Sequence, residues 1–156
     1  MRGKNKTPKR KIKPDIKYNN LQVSKFINYI MKRGKKSIAQ TIIYDCFDII
    51  AEKTKQDPLE VFNNAIKNIS PQLEIRSKRV GGANYQVPVP VKGDRKFALA
   101  CRWIIAAVKD KKGKKMAEKL AEELVAASNN EGTSIKKKED VQRMAEANRA
   151  FAHFAR

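Results

Sequence analysis

One histidine and two cysteines among 156 residues leave little for catalysis or for a transition metal. The imidazole, His153, stands beside the chain end, where termini fray, so a His-based triad or acid-base site lacks a firm support. Cys46 and Cys101 are far apart, each among apolar residues of an expected helix, and no C-x-x-C occurs. Two buried free thiols in a reducing compartment are therefore expected, rather than a disulfide or a zinc site. Long apolar runs are missing too: the longest, Trp103 to Val108, is far short of a membrane span. Acidic residues are scarce, 16 against 35 basic, for a formal net charge of +19. Such a chain repels itself until a polyanion neutralises it.

Phosphate-binding and catalytic signatures are absent as well. Gly34-Lys35-Lys36-Ser37 lacks the upstream glycine of a P-loop and its Ser is out of register, so it reads as a helix start. Gly81-Gly82 is an adjacent pair, not the spaced triplet of a dinucleotide fingerprint. Asp45, Asp48 and Glu52 share one side of a helix, but a solvated face balancing nearby lysines explains them. No enzyme, cofactor or metal is expected.

What is present is a core large enough for one domain, with 41% apolar residues, preceded by a basic arm. Residues 1–17 carry Arg2, Lys4, Lys6, Lys9, Arg10, Lys11, Lys13 and Lys17 against Asp15 alone, with no apolar stretch of the kind a secretory signal needs. This arm is expected to be disordered, with the folded domain occupying 18–156. Asn19 or Asn20 caps a first helix bearing Leu21, Phe26, Ile27, Ile30 and Met31, stopped by Gly34. Ser37 and Gln40 form a capping-box pair for a second, whose stripe is Ile38, Ile42, Cys46, Ile49 and Ile50. Asp57-Pro58 opens a third, burying Leu59, Phe62, Ala65, Ile66 and Ile69, and Ser70-Pro71 ends it.

Residues 73–91 then change period from helical to alternating. Leu73 and Ile75 alternate with Glu74 and Arg76, and Tyr85, Val87, Val89 and Val91 alternate with Gln86, Pro88 and Pro90, which specifies a hairpin turning at Gly81-Gly82. Pro88 and Pro90 cannot donate to a ladder and are expected to face solvent. Arg76, Lys78 and Arg79 make the ribbon cationic. A two-stranded ribbon is marginal alone and needs helices beneath its base.

After it, a fourth helix over about 94–109 places Arg95, Arg102 and Lys109 in one row, with Lys96 and Trp103 beside them, and Ala98, Cys101, Ile105 and Val108 on a core face. Trp103 either stacks on a nucleotide or covers the hairpin base. Lys111, Lys112, Lys114 and Lys115 form a cationic turn before a fifth helix with Met116, Leu120, Leu124 and Val125, ending near Gly132. A sixth, about 135–151, carries Val141, Met144, Ala145, Asn148 and Phe151 in one sector between cationic flanks. Lys136 and Arg143 lie on one flank, Lys138 and Arg149 on the other.

These residues resemble a known family. Lys13-Pro14-Asp15, Gly34-Lys35-Lys36-Ser37, the run Arg79 to Val89, Arg102-Trp103-Ile104, Glu139-Asp140-Val141, Arg143 to Asn148 and Ala150 to His153 are similar to the pattern of bacterial-type small-subunit ribosomal protein seven over nearly the whole chain. The chain departs from that pattern at Pro90, where the family usually has an acidic residue, and at Asp94, which dilutes a denser Arg run around Lys92 to Lys96. The resemblance implies a mostly α domain of about six helices with a protruding hairpin. It implies binding to the 3′ major domain of small-subunit ribosomal RNA, nucleation of head assembly, and contact with ribosomal protein eleven. The hairpin and last helix are implied to lie near exit-site tRNA and messenger RNA.

On that basis the cations of the arm, Lys35, Lys36, Arg76, Lys78, Arg79, Lys92, Arg95, Lys96, Arg102, Lys109, the 111–115 turn and Lys136, Lys137 and Lys138 are expected to contact ribosomal RNA. Val80, Gly81, Gly82, Ala83, Asn84, Tyr85, Arg143 and Arg149 are expected near tRNA and messenger, the alternative being that the tip only wedges into ribosomal RNA. The ribosome would be cytoplasmic or organellar, and no membrane is expected. The rival reading is a basic chromosome-organising protein on duplex DNA. Cations spread over arm, hairpin, helices and turn suit an irregular folded RNA better than a single groove-reading helix does.

Overall fold

A computed structural model describes residues 11–155. Their elements run α1 (Leu21–Ile30), α2 (Lys36–Thr54), α3 (Pro58–Ile69), β1 (Leu73–Val80), β2 (Ala83–Pro90), α4 (Gly93–Asp110), α5 (Met116–Ser128) and α6 (Thr133–Ala147), closed by a 3-10 helix, Arg149–Ala155. The mostly α class and the lone antiparallel hairpin are as the sequence predicts. By its contacts the chain divides into two compact units, one ending at Gln40 and one beginning at Thr41, within α2.

In the first unit α1 starts where Asn20 caps it, the side-chain oxygen accepting from the amides of Gln22 at 2.7 Å and Val23 at 3.3 Å. Val23, Phe26, Ile27 and Ile30 are buried, whereas Leu21, expected in the core, is 43% exposed because it stands on the opposite side of the first turn. Of the arm, residues 1–10 lie outside the described residues. Asp15, within the arm, is buried, its amide donates to the Asn20 carbonyl, and its Oδ2 accepts from the amides of Lys17 and Tyr18. By accepting from amides two and three residues ahead, the carboxylate holds residues 15–18 in a turn. α2 begins at Lys36, one residue before Ser37, and the Ala39 amide donates to the Lys35 carbonyl.

In the second unit α2 buries Ile43, Cys46, Phe47 and Ile50, while Ile42 and Ile49 of the expected stripe are only half-buried; Ile38, which precedes this unit, is 54% exposed. The Phe47 ring meets Phe62 of α3 at 5.8 Å between centroids. α3 is capped by Asp57, which accepts from the Leu59 amide, with Pro58 in its first turn. α5 packs on α3 and α4 through a face dominated by Ala117, Leu120, Ala121, Leu124 and Ala127, whose small residues permit close approach. α6 adds only Ser134, Ile135 and Ala145 to the interior and ends four residues before its expected limit, with Met144 45% exposed. Asn148 terminates it, its side-chain amide donating to the Met144 carbonyl.

The hairpin pairs Leu73 with Pro90 through to Val80 with Ala83, around a two-residue turn in which Gly81 and Gly82 both have positive φ, 57° and 92°. Residues with side chains have few such conformations open to them, so the pair of glycines fixes both turn and register. That register sets Glu74, Arg76 and Lys78 of β1 on the same face as Tyr85, Val87 and Val89 of β2, and Leu73 and Ile75 on the other face with Pro88 and Pro90. The Val91 amide donates to Gln72, so alternation along β2 turns the nitrogens of Pro88 and Pro90 away from β1. Their missing donors cost the ladder nothing. Pro90 is exposed as expected, but the ring of Pro88 is buried, a correction that follows from its place opposite Ile75 on the apolar side of the ribbon base.

Candidate nucleic-acid interface

The cations of the second unit fall into two kinds, those committed to an internal partner and those standing free on the surface. At the hairpin base the Glu74 side chain is only 7% exposed and lies between two arginines. Arg76 Nε donates to Glu74 Oε1 at 2.6 Å, and Arg95 Nε, from the first turn of α4, donates to Oε2 at 3.0 Å. Burial pushes the Glu74 carboxyl up, but the hydrogen bonds and charges of Arg95 and Arg76 together outweigh it and hold it below the usual carboxylate range. The two arginine side chains remain 60% and 44% exposed.

Further along α4, Arg102 and Lys109 are exposed with Arg95, as their shared row predicts. Lys96 and Trp103 are half-buried, and Lys92 is exposed just before the helix. In the turn after α4, Lys112, Lys114 and Lys115 are exposed, and Lys114 pairs with Glu122. Lys111 is different. Its ammonium lies 2.6 Å from Oε2 of Glu123, a carboxylate with no exposed surface whose Oε1 accepts from the Ser134 amide at 2.8 Å and hydroxyl at 2.7 Å. Glu123 thus joins the turn, α5 and the start of α6 in one buried knot. Burial drives its carboxyl upward, yet the Lys111 and Ser134 bonds prevail and hold it low.

On α6, Lys136 and Lys137 are exposed, whereas Lys138 donates to the Asn68 carbonyl at the end of α3, at 2.6 Å. Arg143 lies 3.7 Å from Asp140, and Arg149 is exposed. The hairpin tip, Gly81 to Asn84, is exposed, with Arg79 beside it. Tyr85 is not part of that free tip: its ring packs at 5.2 Å on both Phe151 and Phe154. From the same face of the ribbon Lys78 donates to the Phe154 carbonyl at 2.7 Å, so the C-terminal 3-10 helix is fastened to the flank of the hairpin. In the first unit Lys11, Lys13, Lys35 and Lys36 are all exposed.

Sequence reasoning therefore found the cations but not what holds some of them. Glu74, Glu123 and Asn68 carried no signal, because Arg95, Lys111 and Lys138, which they hold, come from other elements of the chain. Cys46 and Cys101 are free and buried as expected, and burial pushes both thiols far up. Among the described residues no cluster of side chains fit for a metal occurs, and no helix is long and apolar enough to cross a membrane.

The family model described as ribosomal protein S7p/S5e matches residues 2–149. Similar curated proteins are each named small ribosomal subunit protein uS7. That of Thermotoga maritima is 60% identical over 146 residues, covering 94% of both chains. That of Chloroflexus aggregans is 57% identical, over 95% of this chain and 94% of the relative. That of Thermosipho melanesiensis is 62% identical, over 93% and 94%. With a match spanning nearly the whole chain, this chain belongs to the ribosomal protein S7p/S5e family, non-enzymatic structural proteins of the small ribosomal subunit.

Proposed function

We propose that the chain binds the 3′ major domain of small-subunit ribosomal RNA as a primary binder and nucleates assembly of the subunit head. The observation that carries this reading is the spread of exposed cations over separate elements: Arg76 and Arg79 on the hairpin, Arg95, Arg102 and Lys109 along α4, Lys112 and Lys115 in the following turn, and Lys136 and Lys137 opening α6. Such a spread fits the irregular backbone of a folded RNA. The arm's basic residues and Lys35 and Lys36 would add to it. Lys78, Lys111 and Lys138, tied to internal partners, contribute field more than direct contact. If roughly six to ten phosphates are neutralised, affinity for a 3′ major domain transcript falls by about 10³ to 10⁵ between about 50 and 200 mM salt. A nearly flat log-log plot would overturn the reading.

The hairpin tip, Val80 to Asn84, together with Arg143 and Arg149, is proposed to lie near exit-site tRNA and messenger RNA, with ribosomal protein eleven as a neighbour. The small exposed tip supports this, since Gly81, Gly82 and Ala83 let a partner's backbone come close. Replacing Val80 to Asn84 with a shorter turn is expected to spare subunit incorporation and alter exit-site tRNA retention. Failure to incorporate, with normal tRNA behaviour in the particles that form, would make the tip an assembly anchor.

A further inference from the structure

A carboxylate at the centre of a surface meant for RNA is at first sight a liability, since it repels phosphate and cancels a cation. Glu74 has a second property that reverses this. It is almost fully covered, and both of its oxygens are taken, Oε1 by Arg76 and Oε2 by Arg95. Phosphate therefore meets the two guanidiniums and not the carboxylate. The contacts run through Arg76 Nε and Nη2 on one side and Arg95 Nε on the other. Among the described residues neither arginine has another acceptor, so Nη1 of Arg76 and both Nη groups of Arg95 keep their donors available. The two arginines come from different elements, one from the middle of β1 and one from the first turn of α4. A long side chain that must be ordered on binding loses rotamer freedom at that moment. One already held by a buried carboxylate has lost it on folding, and its planar fork presents fixed donors.

We propose that Glu74 is a positioning residue for RNA binding: by holding Arg76 and Arg95 from opposite oxygens, it presents their remaining N–H groups as a preorganised pair to backbone phosphates of ribosomal RNA. This rests on the RNA-binding reading above. It makes a prediction opposite in sign to simple charge counting. Glu74→Gln removes a negative charge from a strongly basic chain, and charge counting expects tighter RNA binding with a steeper salt dependence. Positioning expects binding weakened about tenfold, with the log-log salt slope reduced by about one, as for the loss of a phosphate contact.

The test measures affinity of the full chain for a 3′ major domain transcript across a salt series, for wild type, Glu74→Gln, Arg76→Met/Arg95→Met, and the triple variant, with circular dichroism confirming equal helicity. Weakened binding and a shallower slope in Glu74→Gln, together with no further effect of Glu74→Gln once both arginines are gone, is the expected result. Tighter or unchanged binding by Glu74→Gln overturns the proposal. So does an equal loss in the arginine-free background, which would mean that Glu74 acts through the fold alone. Wild type that binds the transcript with no salt dependence instead brings down the underlying RNA reading, and the proposal with it.

Discussion

The buried Glu123 knot should make the stability of the fold depend on pH. Glu123→Gln keeps the size of the side chain and removes the charge that faces Lys111 at 2.6 Å. It also turns Oε1, which accepts two bonds from Ser134, into part of a weaker amide acceptor. Hydrogen bonds to a charged group contribute about 1.5 to 3 kcal/mol each, and breaking a buried ion pair costs about 3 to 5 kcal/mol. Lys111 is about one-third exposed and regains water when released, so the lower part of that range applies, about 2 to 3 kcal/mol. For a chain of this size that is a fall of roughly 4 to 12 °C in melting temperature. The folded carboxyl is held below its unfolded value, so its stabilisation is complete above the ordinary carboxylate range and is lost as pH falls through the lower folded value. Urea unfolding of wild type and Glu123→Gln at pH 7 should therefore differ by that amount, and the two curves should converge as pH falls below the ordinary carboxylate range. A difference that is absent at pH 7, or that persists unchanged in acid, refutes the reasoning.

Gly132→Ala should act on the same knot. Gly132 has φ +99°, and an added Cβ would stand 3.0 Å from Glu123 Oε1 and 3.3 Å from Ala126 Cβ, so a loss of about 1 to 3 kcal/mol is expected in urea unfolding. Stability equal to wild type would mean that the turn relaxes at little cost. Tyr85→Ala removes both ring contacts to the C-terminal 3-10 helix, and amide exchange should quicken over residues 149–155 while the helical core keeps its protection. Unchanged exchange there would show that Lys78 alone holds the segment.

Local chemistry made much of the fold legible in the sequence. Asn20 and Asp57 act on amides two or three residues ahead, and Gly81-Gly82 acts on its own turn, so caps and hairpin appear where residue type places them. The α2 stripe was harder, because Ile42-Ile43 and Ile49-Ile50 are adjacent pairs and periodicity alone does not say which member turns inward. Phe47 decides it by its ring contact with Phe62, a partner fifteen residues away. The same limit governs the candidate interface. Its cations were readable as composition, but whether a lysine stands free depends on a distant acceptor: Asn68 for Lys138, Phe154 for Lys78, Glu123 for Lys111. The turn at Asp15 was not read from the sequence, where that residue stood only as the one acidic charge among the cations of 1–17.

The prolines of β2 have a consequence for the protein before it meets RNA. A two-stranded ribbon has two open edges, and an open edge is a template for a further strand from another copy of the chain. Along the outer edge of β2 the positions that would offer donors at the ribbon base are Pro88 and Pro90, and neither has an N–H to offer. A strand arriving there finds carbonyls without their alternating donors, beside a β1 that carries Arg76, Lys78 and Arg79 and repels its own likeness. The outer edge of β2 can thus stay unpaired in a freshly made protein without seeding self-association.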